Sequence, residues 1–489
     1  MAVPESFPKS CEFDVVVVGC GVAGLSAAMA ALDGGARVAV LERAPEHERG
    51  GNTRYTTAAI RMASEDEVSA DFEDQFAANS GYHLDPQIVS EAAADYANWP
   101  AILKTLSFAD PELVSTFADS APATIAWLKQ HGVVFGPIGY YGLTPRSSPR
   151  ISISGGGLAL IEAMVPRAEQ RGTQFFYDTT AQCLLVDDDG KVTGVRAAGE
   201  RNRPTRFMAK SVVLACGGFE GNPEMVARYI GDSGRYLRPV ARGGYYNKGE
   251  GIRMALDIGA APAGDYSEYH AQPIDPRSGA TEPLVMIFTQ GILINRDAMR
   301  FTDEAPGSID AHYEDITRTI RKQPGGMAWC ILDASVEEID NWQRCLRTDQ
   351  PPVEAQTLAA LASAINVSAT ALAATIATYN AACVDGAFDP HAIDGLATAN
   401  LTPAKSNWAR PIARAPFKAY PIISSNTFTF GGLKVTPDAQ VMNTSGEVIP
   451  GLYAAGETVG LYYGRYPGAT SVLRGAVFGR LAGLHASNV

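Results

Sequence analysis

The sequence has no Cys-x-x-Cys pair among its seven cysteines, which stand apart at Cys11, Cys20, Cys183, Cys216, Cys330, Cys345 and Cys383. Zinc ribbons and cysteine-ligated iron–sulfur clusters need closely spaced thiolates, so no metal site is expected. An odd, scattered set fits reduced thiols better than a disulfide framework. Basic runs are also missing: Lys and Arg number 40 against 53 Asp and Glu, a net charge of −13. Nucleic acid requires clustered cations to displace counterions, so it is not an expected partner. No apolar stretch approaches the roughly 20 residues that span a bilayer, and no transmembrane segment is expected. The opening MAVPESFPKSCEFD carries neither the basic region nor the apolar core of a secretory signal, which makes the cytoplasm the expected location. With 46% hydrophobic and 19% charged residues the composition gives no basis for disorder, and one large or two to three ordinary domains are expected.

What is present begins at DVVVVGCGVAGLSAAMAAL, residues 14–32. Val15 to Val18 form an unbroken β-branched run, as in a strand buried on both faces. Gly19, Gly21 and Gly24 then give G-x-G-x-x-G, and Leu25 to Leu32 reads as a helix of small residues. In a dinucleotide fold one such glycine permits the turn, one admits the pyrophosphate and one lets helix and strand pack closely. The helix start then offers the phosphates free N–H groups and a positive dipole end. Such a triplet alone is weak. Here a second strand, ARVAVLE, follows, and Glu42 stands at its end, eighteen positions after Gly24. An acidic side chain about 20 residues on suits a ribose hydroxyl.

That unit does not distinguish FAD from NAD. The discriminating stretch is RGGNT at 49–53, where Gly50 and Gly51 can wrap backbone amides around a flavin. Further strands close on glycine turns in FMAKSVVLACGGFEGNPEM (207–225, with Gly217 and Gly218) and GEVIPGLYAAGETVG (446–460, with Gly456 and Glu457). YPGATSVLRGAVFGRLAG (466–483) leads from a Pro-Gly turn into a helix. No second G-x-G-x-x-G is present, so a dedicated NAD(P)H domain is not expected and the electron acceptor stays unidentified.

In their order these pieces resemble the flavoprotein family of fumarate reductases, succinate dehydrogenases and 3-ketosteroid dehydrogenases, over nearly the whole chain. APEHERGGNTRYT, SSNTFTFGGLKV and the final YPGATSVLRGAVFGRLAG are most similar to its tricarballylate dehydrogenase branch. The resemblance implies an α/β fold: a discontinuous Rossmann-like FAD-binding domain with an inserted α+β capping domain. The expected division is 1–240, with a helical insertion at about 65–133, then a cap at 241–405 and a return at 406–489. Gly19, Gly21 and Gly24 would hold the pyrophosphate and Glu42 the adenosine ribose, with Arg43, Gly50, Gly51, Gly217, Gly218 and Gly456 in the same cofactor set. Asn52 and Thr53 would lie near the isoalloxazine, Glu457 on the ribityl chain, and Ser471 with Val472 at the pyrimidine end. Some members bond the flavin to a histidine of the Gly-Gly loop. Between Arg49 and Met62 there is none, so non-covalent FAD is expected.

Removing two hydrogens from adjacent carbons requires a hydride acceptor, a base, and a group that stabilises charge on the neighbouring carbonyl or carboxylate. The chain departs from fumarate reductases in the last two. Ser308 or a neighbour takes the place of one family arginine, NTFTF that of a histidine, and Tyr466, with Arg465 beside it, that of a late-loop arginine. Arg465 and Arg54 are the candidate carboxylate clamps, because guanidinium pairs bidentately with carboxylate. Their bland alternative is an ordinary ion pair. Tyr466, and after it Tyr463, are candidate proton carriers, or else packing tyrosines at a domain seam. His270 is a candidate polar contact from the cap, and Arg300 is expected to secure a cap hairpin.

The expected activity is dehydrogenation of a small tricarballylate-like polycarboxylate by hydride transfer to flavin N5. The rival is a cyclic ketone or enone, dehydrogenated or, in reverse, reduced. A protein that binds flavin without turnover, as a redox sensor or subunit, is the alternative outside enzymes.

Overall fold

The computed structural model describes residues 10–78, 85–87, 96–137, 142–199 and 203–488. Strand β1 (Ser10–Val18) is the centre of the first sheet, with Val15, Val16 and Val17 fully buried. Helix α1 (Val22–Asp33) covers it, and β2 (Val38–Leu41) pairs parallel to β1, Val15 opposite Val38. Parallel strands are covered on both faces, which is why the sequence shows a valine run rather than alternation. Helix α2 (Pro111–Gln130) lies in the expected helical insertion and starts where the Asp110 carboxylate caps the amides of Glu112 and Leu113. Residues 79–84 and 88–95 of that insertion fall outside the described residues.

Helix α3 (Gly156–Gln170) then leads to β3 (Gln174–Phe176), which extends the sheet parallel to β2. Strands β4 (Thr180–Val186) and β5 (Val192–Ala198) form the hairpin that the Asp-Gly turn signals. Strand β6 (Pro204–Leu214) joins this hairpin to the other edge of β1.

A second, mostly antiparallel sheet follows. It contains β7 (Tyr269–Ile274) and β8 (Ile292–Ile294). Helix α4 (Ile309–Arg321) packs on it and precedes β9 (Met327–Leu332). The long strand β10 (Phe417–Thr429) pairs antiparallel with both β7 and β9. Two details differ from the sequence reading. The stretch GILINRDAMRFTDE does not close as a regular hairpin: β8 pairs with β9, and within the stretch Ile294 and Arg300 form an isolated bridge. Arg300 turns instead to the Glu304 carboxylate and the Pro403 carbonyl, which fixes the return as a loop. The chain from 406, read as the return into the first domain, runs first into β10 of the second sheet. Long-range pairing decides this membership, and composition does not reveal it.

The chain re-enters the first sheet as β11 (Val448–Ala454), parallel to β6, giving the order β11-β6-β1-β2-β3. Helix α5 (Ser471–Ala486) then lies against α1. A Cβ at Gly479 or Gly483 would meet the Ala23 or Ala27 carbonyl oxygen at 2.3 or 2.1 Å, so small residues set the spacing of the two helices. The carboxyl ends of β1, β2, β6 and β11 open on one side, facing β7 and β10. Ligands of open parallel sheets bind outside those carboxyl ends. Among the described residues no helix is long and apolar enough to cross a membrane.

Candidate active site

The strand ends border one continuous cleft of about 500 Å³. Gly19 leaves β1 at φ +107°, and a Cβ there would sit 2.3 Å from the Ala215 carbonyl oxygen. Gly21 then starts α1 with no side-chain cap, so the helix end is left to a ligand. The amide of Val22 donates to Thr53 Oγ1 at 3.0 Å, which ties the Gly-Gly loop to that end. Glu42, on the cleft wall, accepts from the Cys20 and Ala44 amides at 2.9 and 2.8 Å, and burial pushes its carboxyl above the usual range. Arg43 donates to the Tyr246 carbonyl and pairs with Glu250.

Thirteen of the expected cofactor residues line this cleft: Gly19, Gly21, Glu42, Arg43, Gly50, Gly51, Asn52, Thr53, Gly217, Gly456, Glu457, Ser471 and Val472. Gly24 and Gly218 do not line it. They are packing positions, where a Cβ would meet the Gly19 carbonyl oxygen at 1.9 Å and Thr429 Oγ1 at 2.1 Å respectively. The residues present fit FAD. An uncapped glycine-flanked helix end suits a pyrophosphate, and a carboxylate stands at the end of β2 for a ribose. At the other arm Asn52 Oδ1 and Thr427 Oγ1 are buried without protein partners.

Beyond that arm four elements build an aromatic wall. His270 of β7 and Tyr313 of α4 are hydrogen bonded, Nε2 to hydroxyl, at 2.7 Å. The His270 ring centre lies 4.5 Å from that of Tyr466 and 5.0 Å from that of Phe428 of β10. Leu284, Met286 and Ile309 line the same region. His270 Nδ1 is buried with no partner. Burial, with Arg318 and Arg150 nearby, holds the His270 imidazole down to about 3, so the ring is neutral. Desolvation also pushes the Tyr313 hydroxyl well above its ordinary range, and Glu314 up to about 7 despite Arg318 at 2.9 Å.

The expected catalytic residues divide. Tyr466 lines the cleft, but its hydroxyl accepts from the Ser471 amide at 2.9 Å and donates to Ser471 Oγ at 3.0 Å, anchoring it to the start of α5. Arg465 reaches the rim, half exposed and paired with Asp315. Arg54 and Tyr463 do not line the cleft. The Tyr463 hydroxyl instead accepts from the Gly264 amide at 2.9 Å, the packing role of a seam tyrosine.

Sequence reasoning missed Tyr313, Arg150 and Asp310. Tyr313 sits on an amphipathic helix whose other stripe residues, Ile309, Ile316 and Ile320, are core, and it reads as one of them. Nothing in the sequence pairs Arg150 with Asp310, 160 positions away.

The chain matches the family described as "FAD binding domain" over residues 14–473. It is 28% identical to NADH:fumarate oxidoreductase of Klebsiella pneumoniae (strain 342), a match covering 99% of this chain and 48% of that protein. It is 27% identical to vinyl phenol reductase of Lactiplantibacillus plantarum, covering 98% of this chain and 97% of that one. Among solved structures it resembles 3-ketosteroid-Δ4-(5α)-dehydrogenase from Rhodococcus jostii RHA1 in complex with 4-androstene-3,17-dione, with a TM-score of 0.67 and 26% identity, over 98% of this chain and 97% of that one. The chain spans about half the length of two of the curated relatives it matches. By a family match that runs through nearly all of its length, the chain belongs to the FAD-binding domain family.

Proposed function

We propose that this flavoprotein moves hydrogen across a carbon–carbon bond conjugated with a neutral carbonyl or aryl group, in a substrate whose body is apolar. The observation that carries the reading is the wall of His270, Tyr313, Phe428 and Tyr466, with Leu284 and Met286 beside it. FAD, held without a covalent bond, would supply the hydride acceptor or donor at N5. The protein's part is to exclude water, orient a flat substrate and handle one proton. Neutral His270 has one ring nitrogen bonded to the Tyr313 hydroxyl and the other left for a substrate, an arrangement that passes a proton by tautomer exchange. Tyr466, anchored by Ser471, serves as a floor for the substrate rather than as the proton carrier.

The charge pattern supports the same reading. Of the arginines on the cleft, Arg43, Arg61, Arg150 and Arg465 each already hold a carboxylate, Glu250, Asp71, Asp310 and Asp315, while Arg474 donates to the Val459 carbonyl and lies over the Tyr462 ring, and Arg146 also lines the cleft. A small polycarboxylate would need two guanidinium groups free to converge on it. The tricarballylate-like expectation keeps as support half-exposed Arg465, whose partner Asp315 a substrate would have to displace, together with Arg146 and Arg474 on the same cleft. Vinyl phenol reductase, which matches this chain nearly end to end, favours an apolar substrate and the reducing direction.

The test is anaerobic and spectroscopic. Dithionite-reduced holoprotein is mixed with a cyclic enone, 4-vinylphenol or fumarate, and oxidised holoprotein with tricarballylate or a saturated 3-ketosteroid. Reoxidation by the enone or the vinylphenol, or bleaching by the ketosteroid, supports the reading. Response to fumarate or tricarballylate alone overturns it.

A further inference from the structure

Two carboxyl groups, buried Glu220 and half-buried Glu457, neighbour each other beside the flavin arm of the cleft: Glu457 Oε1 stands 2.2 Å from where a Cβ on Gly218, two residues before Glu220, would lie. Glu220 follows the Gly217-Gly218 turn and is 4% exposed. Its Oε1 accepts from the Asn52 and Asn247 side-chain amides, both at 2.6 Å, while Oε2 has no donor facing it. Glu457, which lines the cleft, accepts at Oε1 from the Thr429 amide at 2.7 Å and from its hydroxyl at 3.1 Å. Among the described residues neither carboxyl forms an ion pair. Arg474, whose charge acts on Glu457, donates to the Val459 carbonyl and lies over the Tyr462 ring. Two ionised carboxylates in such surroundings would repel at short range, and with no ion-paired cation the neutral donors present do not offset the desolvation of both charges. The arrangement therefore holds one proton between them, as buried carboxyl pairs do. The donors sort the two groups. Glu457 already takes two donors on one oxygen, whereas the oxygen of Glu220 without a donor is the one positioned to carry a hydrogen.

A second consequence concerns Asn52. Its amide nitrogen faces two acceptors, Glu220 Oε1 at 2.6 Å and the Thr427 carbonyl at 2.9 Å. Those contacts fix which end of the amide is nitrogen, so Oδ1, buried and without a protein partner, is the end left for the cofactor.

We propose that Glu220 is a positioning residue for the flavin: as a neutral carboxylic acid it donates to the Glu457 carboxylate and locks the Asn52 amide with Oδ1 toward the cleft. The cleft then meets a single negative charge at Glu457 and one fixed acceptor at Asn52. Burial raises Glu220 well above the usual carboxylate range, the direction this requires, and at Glu457, which burial also raises, the hydrogen bond from Glu220 acts to lower it.

The proposal makes Gln an adequate replacement, because a protonated carboxyl and a carboxamide offer the same acceptor and donor. FAD titrated into the flavin-stripped full chain is expected to bind E220Q within about threefold of wild type, and E220A roughly tenfold or more weakly, the cost of leaving Asn52 unfixed and Glu457 without its donor. E220Q binding as weakly as E220A would overturn the proposal, since Glu220 would then act through its charge. If E220A does not fold, infrared difference spectra of wild type against E220Q decide. Wild type at neutral pH should show the C=O stretch of a protonated carboxylic acid, lost in E220Q. A difference containing only carboxylate bands overturns the proposal. The infrared test does not depend on which substrate the enzyme uses.

Discussion

Arg150 holds Asp310 with both guanidinium nitrogens, Nη1 to Oδ1 at 2.9 Å and Nη2 to Oδ2 at 2.8 Å, on the wall of the cleft. The same carboxylate accepts from the Ser147 hydroxyl at 2.6 Å. This is the geometry with which an arginine binds a substrate carboxylate, and here the protein supplies the carboxylate itself. Asp310→Asn should therefore release Arg150 as an anion site. Fumarate should perturb the flavin spectrum of D310N at a concentration roughly tenfold lower than in wild type, because a charge-assisted bidentate pair is worth about 1.5–3 kcal/mol. Melting should occur at a lower temperature, since removing one partner leaves a buried charge. Equal fumarate response in both proteins would show that Arg150 is out of substrate reach.

The glycines of the first turn have separable jobs, and alanine at each should fail differently. At Gly24 the added Cβ would lie 1.9 Å from the Gly19 carbonyl oxygen, a backbone atom that cannot step aside. G24A should lose about 1–3 kcal/mol of stability, read as a lower melting temperature of the apoprotein. At Gly21 the nearest atom is Thr53 Oγ1 at 3.2 Å, and φ is −76°, so alanine fits the fold. G21A should melt as wild type does while binding FAD more weakly. Loss of apoprotein stability in G21A would contradict this division of labour.

That turn was legible in the sequence because its constraints are local. Glycine spacing, the valine run and Glu42 all report on one strand, one helix and the next strand. The hairpin at Asp189-Gly190 was legible for the same reason. The aromatic wall as a unit was not: the sequence singled out His270 and Tyr466 separately, but residues 270, 313, 428 and 466 meet only through the pairing of β7 with β10 and the packing of α4. Arg465 illustrates the limit. The sequence shows a guanidinium in a glycine-rich loop, but not that Asp315, one helix away, has claimed it. Membership of Phe417–Thr429 in the second sheet was hidden in the same way, because a strand's partner is a long-range fact.

The wall makes a direct comparison of two single mutants informative. Tyr313→Phe removes the hydroxyl that bonds His270 Nε2 and keeps the ring. If this pair moves the proton, turnover should fall by roughly 10² while reduction of the flavin by dithionite is unchanged. Arg465→Ala opens a rim ion pair with Asp315 in which both side chains are close to half exposed. Surface pairs contribute little, so R465A should retain turnover within about threefold. Both are checked by steady-state rates on whichever substrate reoxidises the reduced flavin. The reverse ranking, with R465A the more damaged, would return the site to a carboxylate substrate.

The same wall carries two titrating groups of opposite sign, and their effects on stability should be separable by pH. His270 stays neutral in the fold until about pH 3, against an ordinary value of 6.5. Between those limits the unfolded chain binds a proton that the native state refuses, so stability falls as pH drops through that window. Glu314 is the converse. Its carboxyl, pushed up to about 7 from an ordinary 4.5, keeps a proton in the fold that the unfolded chain releases, so stability falls as pH rises through that window. Around pH 5 to 6 the two slopes oppose each other and should partly cancel. Melting temperatures measured from pH 4 to pH 8 should show H270Q flattening the acid limb and E314Q flattening the limb toward neutrality. Each substitution should leave the other limb in place, because the slope depends on the titrating group and the size of the cavity left behind only shifts the whole curve. A parallel displacement of the curve by H270Q, with its acid slope intact, would mean that His270 takes up its proton in the folded protein as readily as in the unfolded chain, and the neutral relay with Tyr313 would fall with it.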